Sequence, residues 1–198
     1  MLSEQTWWNK NAKAQYETFK NWVGNKDAPT KKYSAEHCHA KGYESVADLG
    51  CADGTFYLSL KDVYSEIKYI GVDSCTFFVE MNTRNGIHTI QSDIRNIPDM
   101  KDSSVDMCYS RHTFEHQPNF ETILGEMIRI GKKEACHIFF IKPDSAPETI
   151  SFGGELYHNK YCKTTIDSFL SKHAKVQSFY WVDLNPSEVA LHVVMKKV

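Results

Sequence analysis

What this sequence lacks narrows it quickly. None of its six cysteines stands in a Cys-x-x-Cys pair, so neither a zinc ribbon nor a thioredoxin-type redox motif is on offer. No apolar run approaches the roughly 20 residues that a membrane-spanning helix needs. The opening Met1-Leu2-Ser3-Glu4-Gln5-Thr6-Trp7-Trp8 has no basic stretch leading into an apolar one, the pattern of a secretory signal. With no such signal, an even cysteine count says little about disulfides, and reduced thiols in a cytoplasmic protein are the expectation. An excess of one charge is missing too. Lys and Arg number 23 against 25 Asp and Glu, a formal net charge of -2. The basic pairs Lys31-Lys32, Lys132-Lys133 and Lys196-Lys197 are short and scattered, so nothing asks for a nucleic-acid partner. Repeats and low-complexity tracts are absent. A hydrophobic content of 41% and a charged content of 24% exclude a disordered or fibrous chain. At 198 residues a core can form without disulfide or metal support.

What is present is a change of texture along the chain. Ser3 to Trp22 reads as a helix, with Trp8, Ala12, Tyr16, Phe19 and Val23 on one face at steps of three and four. Gly24 to Pro29 breaks it, and Lys31 to Ala40 forms a shorter helix ended by Gly42. From Ser45 onward short apolar runs alternate with helical patterns. Strands are expected at Ser45–Leu49, Lys68–Val72, His88–Gln91, Val105–Tyr109 and Ala135–Ile141. Helices are expected at Thr55–Tyr64, Cys75–Thr83, Phe120–Ile130 and Thr164–Lys172. Such alternation implies a parallel sheet with helices on both faces. Two strand-like runs close the chain, Val176–Val182 and Val189–Met195. The link Asp183-Leu184-Asn185-Pro186-Ser187 is too short for a parallel crossover, so these two pair antiparallel. Pro143 to Cys162 shows no clear period, and loops of that length inside compact domains are usually functional.

The chemistry begins at Asp48-Leu49-Gly50-Cys51-Ala52-Asp53-Gly54, between the first strand and its helix. Glycine there permits a tight turn and a close backbone approach to a ligand, and the helix N-terminus that follows offers unbonded N–H groups. The second strand ends in Gly71-Val72-Asp73, with its acid 23 positions after Gly50. That is about where a carboxylate meets ribose hydroxyls in nucleotide-binding βαβ units. The spacing is Gly-x-Ala-x-Gly, which satisfies neither the dinucleotide fingerprint nor the phosphate loop with its Lys-Ser/Thr. NAD and ATP are therefore disfavoured.

Val46 to Gly54 resembles motif I of class I S-adenosylmethionine-dependent methyltransferases, and Tyr69-Ile70-Gly71-Val72-Asp73 resembles their second motif. Ser92-Asp93-Ile94-Arg95-Asn96-Ile97-Pro98 is similar to their adenine-contacting segment. Ser104 to His116 resembles the fourth strand and its following segment in the type 11 branch, and Glu126-Met127-Ile128-Arg129-Ile130 resembles the next helix. The likeness covers about Ser45 to Ile141. It implies a Rossmann-like three-layer αβα sandwich, with a mostly parallel seven-stranded sheet and an antiparallel C-terminal strand. It further implies that residues 1–42 form a helical lid segment and residues 43–198 the methyltransferase domain. S-adenosylmethionine would be the cofactor and S-adenosylhomocysteine the product. Asp48 and the backbone of Gly50 and Ala52 would line the methionine moiety, with Cys51 and Gly54 completing the turn. Asp73 would bind both ribose hydroxyls, with Ser74 beside it. Asp93 would take the adenine amino group and the Ile94 backbone a ring nitrogen, while Tyr109 and Ser110 would lie near the sulfonium. Ala52 departs from the family, which usually has glycine there, and its methyl group narrows the approach.

His112-Thr113-Phe114-Glu115-His116 also spells H-x-x-E-H, so a zinc hydrolase using His112, Glu115 and His116 is an alternative. No third ligand at proper spacing accompanies it. As a methyltransferase segment it offers His112 and His116 as bases, because a hydroxyl acceptor gains from a base with a pKa near neutrality. Arg111, Tyr157 and His158 are candidates for touching the acceptor, with Glu155 on the same wall. His158-Asn159-Lys160-Tyr161 is the polar cluster of the long loop. His37-Cys38-His39 is expected on an exposed helix with no role. The aromatics Trp7, Trp8, Tyr16, Phe19 and Trp22 suit helix packing, or a lid over the cofactor. No Asp/Asn-Pro-Pro-Tyr/Phe motif follows the fourth strand, which disfavours methylation of nucleobase amino groups. The reading is a methyltransferase acting on an oxygen, or a nitrogen, of a small-molecule or sugar acceptor. A non-catalytic S-adenosylmethionine-binding module working through a partner is the other alternative.

Overall fold

A computed structural model describes residues 4–21, 25–153 and 156–197. Trp22, Val23 and Glu155, to which the sequence assigned places, lie outside the described residues. The chain divides into two compact units, residues 1–94 and 95–198.

The first unit opens with α1 (Glu4–Phe19) and α2 (Pro29–Ala40). Pro29 starts α2, where its fixed φ suits a helix and its missing N–H is no loss. Gly42, at φ +63°, ends it. The N–H of Tyr43 reaches the Cys38 carbonyl and that of Gly42 the His39 carbonyl, so the last helical carbonyls are satisfied. Then come β1 (Ser45–Leu49), α3 (Thr55–Val63), β2 (Lys68–Asp73), α4 (Thr76–Arg84) and β3 (Thr89–Gln91). Strands β1, β2 and β3 pair in parallel, with Asp48 beside Gly71 and Asp73 beside Gln91. Helix α1 packs on α4: Ala12, Cys75 and Phe78 form a buried cluster joined by Trp8, Tyr16, Ala52, Phe77 and Met81. Cys38, expected to be exposed, is fully buried, and His37 is half-buried. The apolar face of α2 runs through Ala35 and Cys38, three residues apart.

The second unit holds β4 (Val105–Arg111), a 3-10 turn (Phe114–His116), α5 (Glu121–Ile130), β5 (Gly131–Phe139), β6 (Phe152–Gly153), β7 (Leu156–Tyr157), α6 (Lys163–Lys172), β8 (Val176–Asp183) and β9 (Val189–Met195). Helix α5 buries Ile123, Leu124, Met127 and Ile128, the face its sequence period predicts. β4 and β5 are parallel, and β9 runs antiparallel to both β5 and β8. Across the sheet the strand order is β3-β2-β1-β4-β5-β9-β8, the mostly parallel seven-stranded sheet expected, with β9 as the antiparallel strand.

Two expectations are corrected here. β5 begins at Gly131, four residues earlier than its apolar pattern suggests, because Lys132 and Lys133 extend it while facing water. It also stops at Phe139, since the N–H groups of Phe140 and Ile141 donate to the Glu115 carboxylate instead of a strand. The stretch from Pro143 to Cys162 is not structureless. β6 and β7 make a small hairpin within it, and Thr149 and Lys160 form a bridge.

Candidate functional site

The loop after β1 alternates its handedness. Gly50, Ala52 and Gly54 have φ of +76°, +45° and +69°. For Ala52 that region carries a steric cost, which explains the family's preference for glycine at this position. The N–H groups of Gly50 and Cys51 both donate to the Val72 carbonyl, at 2.8 and 3.2 Å. Asn82, fully buried on α4, donates to the Ala52 carbonyl at 2.9 Å. The loop is thereby pinned to β2 and α4.

Asp73 ties the same parts together. Its Oδ2 accepts the Ala52 N–H at 2.9 Å and its Oδ1 the Cys75 N–H at 2.8 Å. Burial pushes its carboxyl up, and the N–H groups of Cys75, Ala52 and Ser74 oppose that shift. A carboxylate has about four acceptor sites, so these two bonds leave capacity on each oxygen. Ser74 is half-buried next to it. The Ser92 N–H donates to the Asp73 carbonyl at 3.1 Å, which draws the segment with half-buried Asp93 and buried Ile94 to the end of β2.

Asp48 is buried at the end of β1, its Oδ2 accepting the Tyr69 hydroxyl at 2.8 Å. Burial pushes it up to about 7, against the Tyr69 hydrogen bond and nearby Lys31, and Asp73 and Asp53 add to the rise. Lys31, one half of a basic pair in the sequence, is buried and bonds the Thr55 hydroxyl. Asp53 Oδ1 accepts the Thr55 N–H at 3.2 Å and its hydroxyl at 2.8 Å, while Oδ2 is buried without a hydrogen bond.

The raised Asp48 carboxyl makes stability depend on pH. Its ordinary value is 3.8, so between about pH 4 and 7 the folded protein keeps a proton that the unfolded chain has lost. Stability from this group is complete below about pH 4 and declines as pH rises through about 7, at up to about 1.4 kcal/mol per pH unit. Asp48→Asn is neutral throughout and should remove that decline. Thermal melts at pH 5 and 8 should show the variant gaining on the wild type at pH 8. Identical pH dependence of the two proteins would exclude a titrating Asp48.

The second unit carries the other group of predicted residues. Tyr109 and Ser110 are buried within β4, and Ser110 Oγ makes no hydrogen bond. Arg111 ends the strand, with Nη2 3.1 Å from Glu188 Oε1. His112 follows at φ +55°, a left-handed conformation uncommon for a bulky side chain. Its Nε2 lies 2.7 Å from the same Glu188 oxygen. Burial lowers the His112 pKa, against the raising effect of Glu188. His116 Nδ1 lies 2.8 Å from the Tyr157 carbonyl, so Nδ1 carries the hydrogen, and burial lowers this pKa as well. The His158 ring is exposed and meets His116 edge-on at 5.3 Å. Asn159 and Tyr161, from the polar loop cluster, are structural. Both are buried, and both donate to the Gln117 carbonyl.

The zinc alternative is overturned by these partners. The H-x-x-E-H residues lie on a strand end and a 3-10 turn, not on one helix. His112 turns to Glu188, His116 to Tyr157, and Glu115 to the backbone N–H groups of Phe140 and Ile141. They do not converge on a common ligand point.

A loop of positive φ after β1, an acid ending β2 and this strand order make the Rossmann-like arrangement in which nucleotide-binding βαβ units meet a ribose. Residues 47–139 match the family model described as Methyltransferase domain. Those residues carry a methyltransferase domain of the class I, S-adenosylmethionine-dependent kind, with S-adenosylmethionine as the cofactor. The residues present fit that ligand. Asp53 and Asp73, with Asp48 beside them, offer carboxyl acceptors, and one buried oxygen of Asp53 is unsatisfied, which suits hydroxyl and ammonium donors and opposes a diphosphate.

Solved structures share the fold at low identity. A Thermotoga maritima S-adenosylmethionine-dependent methyltransferase, described as a possible histamine N-methyltransferase, is 17% identical over 96% of this chain and 98% of that one, with a TM-score of 0.67. The plantazolicin methyltransferase, in complex with a desmethyl analogue and S-adenosylhomocysteine, is 14% identical over 98% and 94%, with a TM-score of 0.70. The Burkholderia thailandensis 1,6-didemethyltoxoflavin-N1-methyltransferase is 11% identical over 96% and 87%, with a TM-score of 0.69. No curated protein matches the sequence. Among the described residues no helix is long and apolar enough to cross a membrane.

Proposed function

We propose that this enzyme methylates an oxygen, or a nitrogen, of a small-molecule or sugar acceptor, with His112 and His116 as the bases. The observation that carries the proposal is the state of the two imidazoles. Each is held through one ring nitrogen by a protein acceptor, and burial holds each below the ordinary histidine value, so both are neutral near pH 7. A hydroxyl becomes a better nucleophile as it loses its proton, and a neutral imidazole takes that proton well. The formal net charge of -2 favours a small acceptor over nucleic acid. Two of the solved neighbours also carry small-molecule names: a desmethylplantazolicin analogue is bound in one, and didemethyltoxoflavin in the other.

Roles follow for the chain's own residues. Asp73 holds the ribose hydroxyls, with Ser74 adjacent. Asp48, Gly50, Cys51, Ala52 and Gly54 shape the methionyl side, while Asp93 and the Ile94 backbone meet the adenine. Tyr109 and Ser110 lie near the sulfonium. Tyr157 and His158 contact the acceptor, whereas Arg111 supports the site through Glu188. Residues 1–42 act as the lid, a reading supported by the packing of Trp8, Tyr16 and the loop residue Ala52 against the same cluster of Ala12, Cys75 and Phe78. The cofactor supplies an electrophilic methyl group, and the rest of the rate comes from alignment and removal of the proton. A screen of phenols, sugars and amines, read as release of S-adenosylhomocysteine, tests the assignment. His112→Ala or His116→Ala should lower kcat on the best acceptor by about 100-fold or more while leaving S-adenosylmethionine affinity intact. Full turnover in both variants would refute the base roles.

A further inference from the structure

Glu188, just before β9 on the β8–β9 hairpin, gathers three side chains. Oε1 lies 2.7 Å from His112 Nε2 and 3.1 Å from Arg111 Nη2, and Oε2 accepts Asn185 Nδ2 at 2.7 Å. Asn185 is itself fixed. Its Oδ1 accepts the N–H groups of Ser187 and Glu188, at 2.9 and 2.8 Å, and its own N–H bonds the Glu188 carbonyl. The hairpin turn is therefore built around the placement of one carboxylate. The side chains of Arg111, His112 and Glu188 are 13%, 18% and 16% exposed, partly withdrawn from water.

The protons follow from these contacts. Burial pushes the Glu188 carboxyl up, but His112, Asn185 and Arg111 together hold it down at about 2, so it is an ionised acceptor. Only an N–H can answer it, and His112 Nε2 carries the hydrogen. In the neutral ring the lone pair then sits on Nδ1, which makes no hydrogen bond among the described residues. The backbone under this ring is left-handed, the kind of local strain that collects at functional sites.

The geometry points to Glu188 as a positioning residue for methyl transfer: it fixes His112 in the Nε2–H tautomer, so that Nδ1 takes the acceptor's proton, and Arg111 and Asn185 hold the carboxylate in place. This rests on the base role proposed for His112. As the acceptor oxygen's lone pair forms the bond to the methyl carbon, the carbon–sulfur pair stays with sulfur and the O–H proton passes to Nδ1. The imidazolium so formed faces Glu188, which stabilises it, with Glu115 adding to that effect, while Arg111 on its own strand and His116 on the turn oppose it. Arg111 also shares the carboxylate, which keeps the resting cluster near neutral.

The first arm of the test needs no acceptor. In protein labelled with 15N-histidine, long-range 1H–15N correlation spectra report each ring's tautomer and titration, and His112→Asn identifies the His112 signals. The wild type should show His112 as pure Nε2–H. Glu188→Gln should mix the tautomers and lower the His112 midpoint by about one pH unit or more, while affinity for S-adenosylhomocysteine by calorimetry stays unchanged. Glu188→Asp should restore part of the preference. An Nδ1–H wild type, or an unchanged tautomer and midpoint in Glu188→Gln, overturns the proposal. If the spectra behave as expected but His112→Asn turns over the best acceptor at the wild-type rate, the base reading fails and the positioning role falls with it.

Discussion

Replacing Asp73 with alanine is expected to weaken both S-adenosylmethionine and S-adenosylhomocysteine by about 100-fold or more in calorimetric titration. Two hydroxyls donating to an ionised carboxylate are worth about 1.5–3 kcal/mol each, and about 1.4 kcal/mol is a factor of ten. The same side chain also holds the Ala52 and Cys75 N–H groups, so its loss loosens the loop as well as removing the proposed ribose contact. The two effects separate in a cycle. Asp73→Asn is tested against S-adenosylhomocysteine and against its 2′-deoxy analogue. If the acid meets the ribose, the variant and the missing hydroxyl are not additive, and coupling of 1 kcal/mol or so appears. Additive losses would confine Asp73 to fastening the loop, and unchanged affinity would remove it from the site altogether.

Legibility in the sequence followed the range of the interactions involved. β1 and β9 occupy the expected residues because both are short apolar runs bounded by clear breaks. The loop after β1 was readable because a strand, a turn and a helix follow one another directly between Ser45 and Val63. Where a long-range partner decides the outcome, local pattern fails. β5 ends early because Glu115, more than twenty positions back, captures the next two N–H groups. Lys31 looks like a surface lysine until α2 packs on α3 and brings it to Thr55. Asn82, which steadies the Ala52 carbonyl, gives no signal within its own helix. Glu188 was hidden in what reads as an ordinary hairpin turn, 76 positions from the histidine it holds. The one available hint was Asn185-Pro186-Ser187, residue types that fold side chains back onto their own backbone.

Glu115→Ala should destabilise the protein by about 3–5 kcal/mol, although the residue sits inside the H-x-x-E-H pattern and no catalytic step is assigned to it. The side chain is fully buried. Its Oε1 takes two backbone N–H groups, at 2.6 and 3.2 Å, and its Oε2 lies 3.7 Å from His137 Nε2. Alanine would strand two partly buried donors, at up to about 1–3 kcal/mol each, and leave a cavity beside the stacked rings of Phe114 and His137. For a chain of this size that is a fall in Tm of about 10 °C or more. Glu115→Gln keeps one acceptor oxygen and should lose less than half as much. The sign of the pH dependence is fixed too. Burial pushes the Glu115 carboxyl up, but its surroundings, led by His137, hold it below its ordinary 4.5. Its stabilising contribution is therefore present above about pH 4.5 and is lost as pH falls through the lower folded value, so the gap between wild type and Glu115→Gln narrows in acid. The melts should be run with EDTA and with added zinc. A zinc site would make the wild type sensitive to the chelator and spare the Tm of Glu115→Ala. A carboxylate that ends a strand predicts the reverse on both counts.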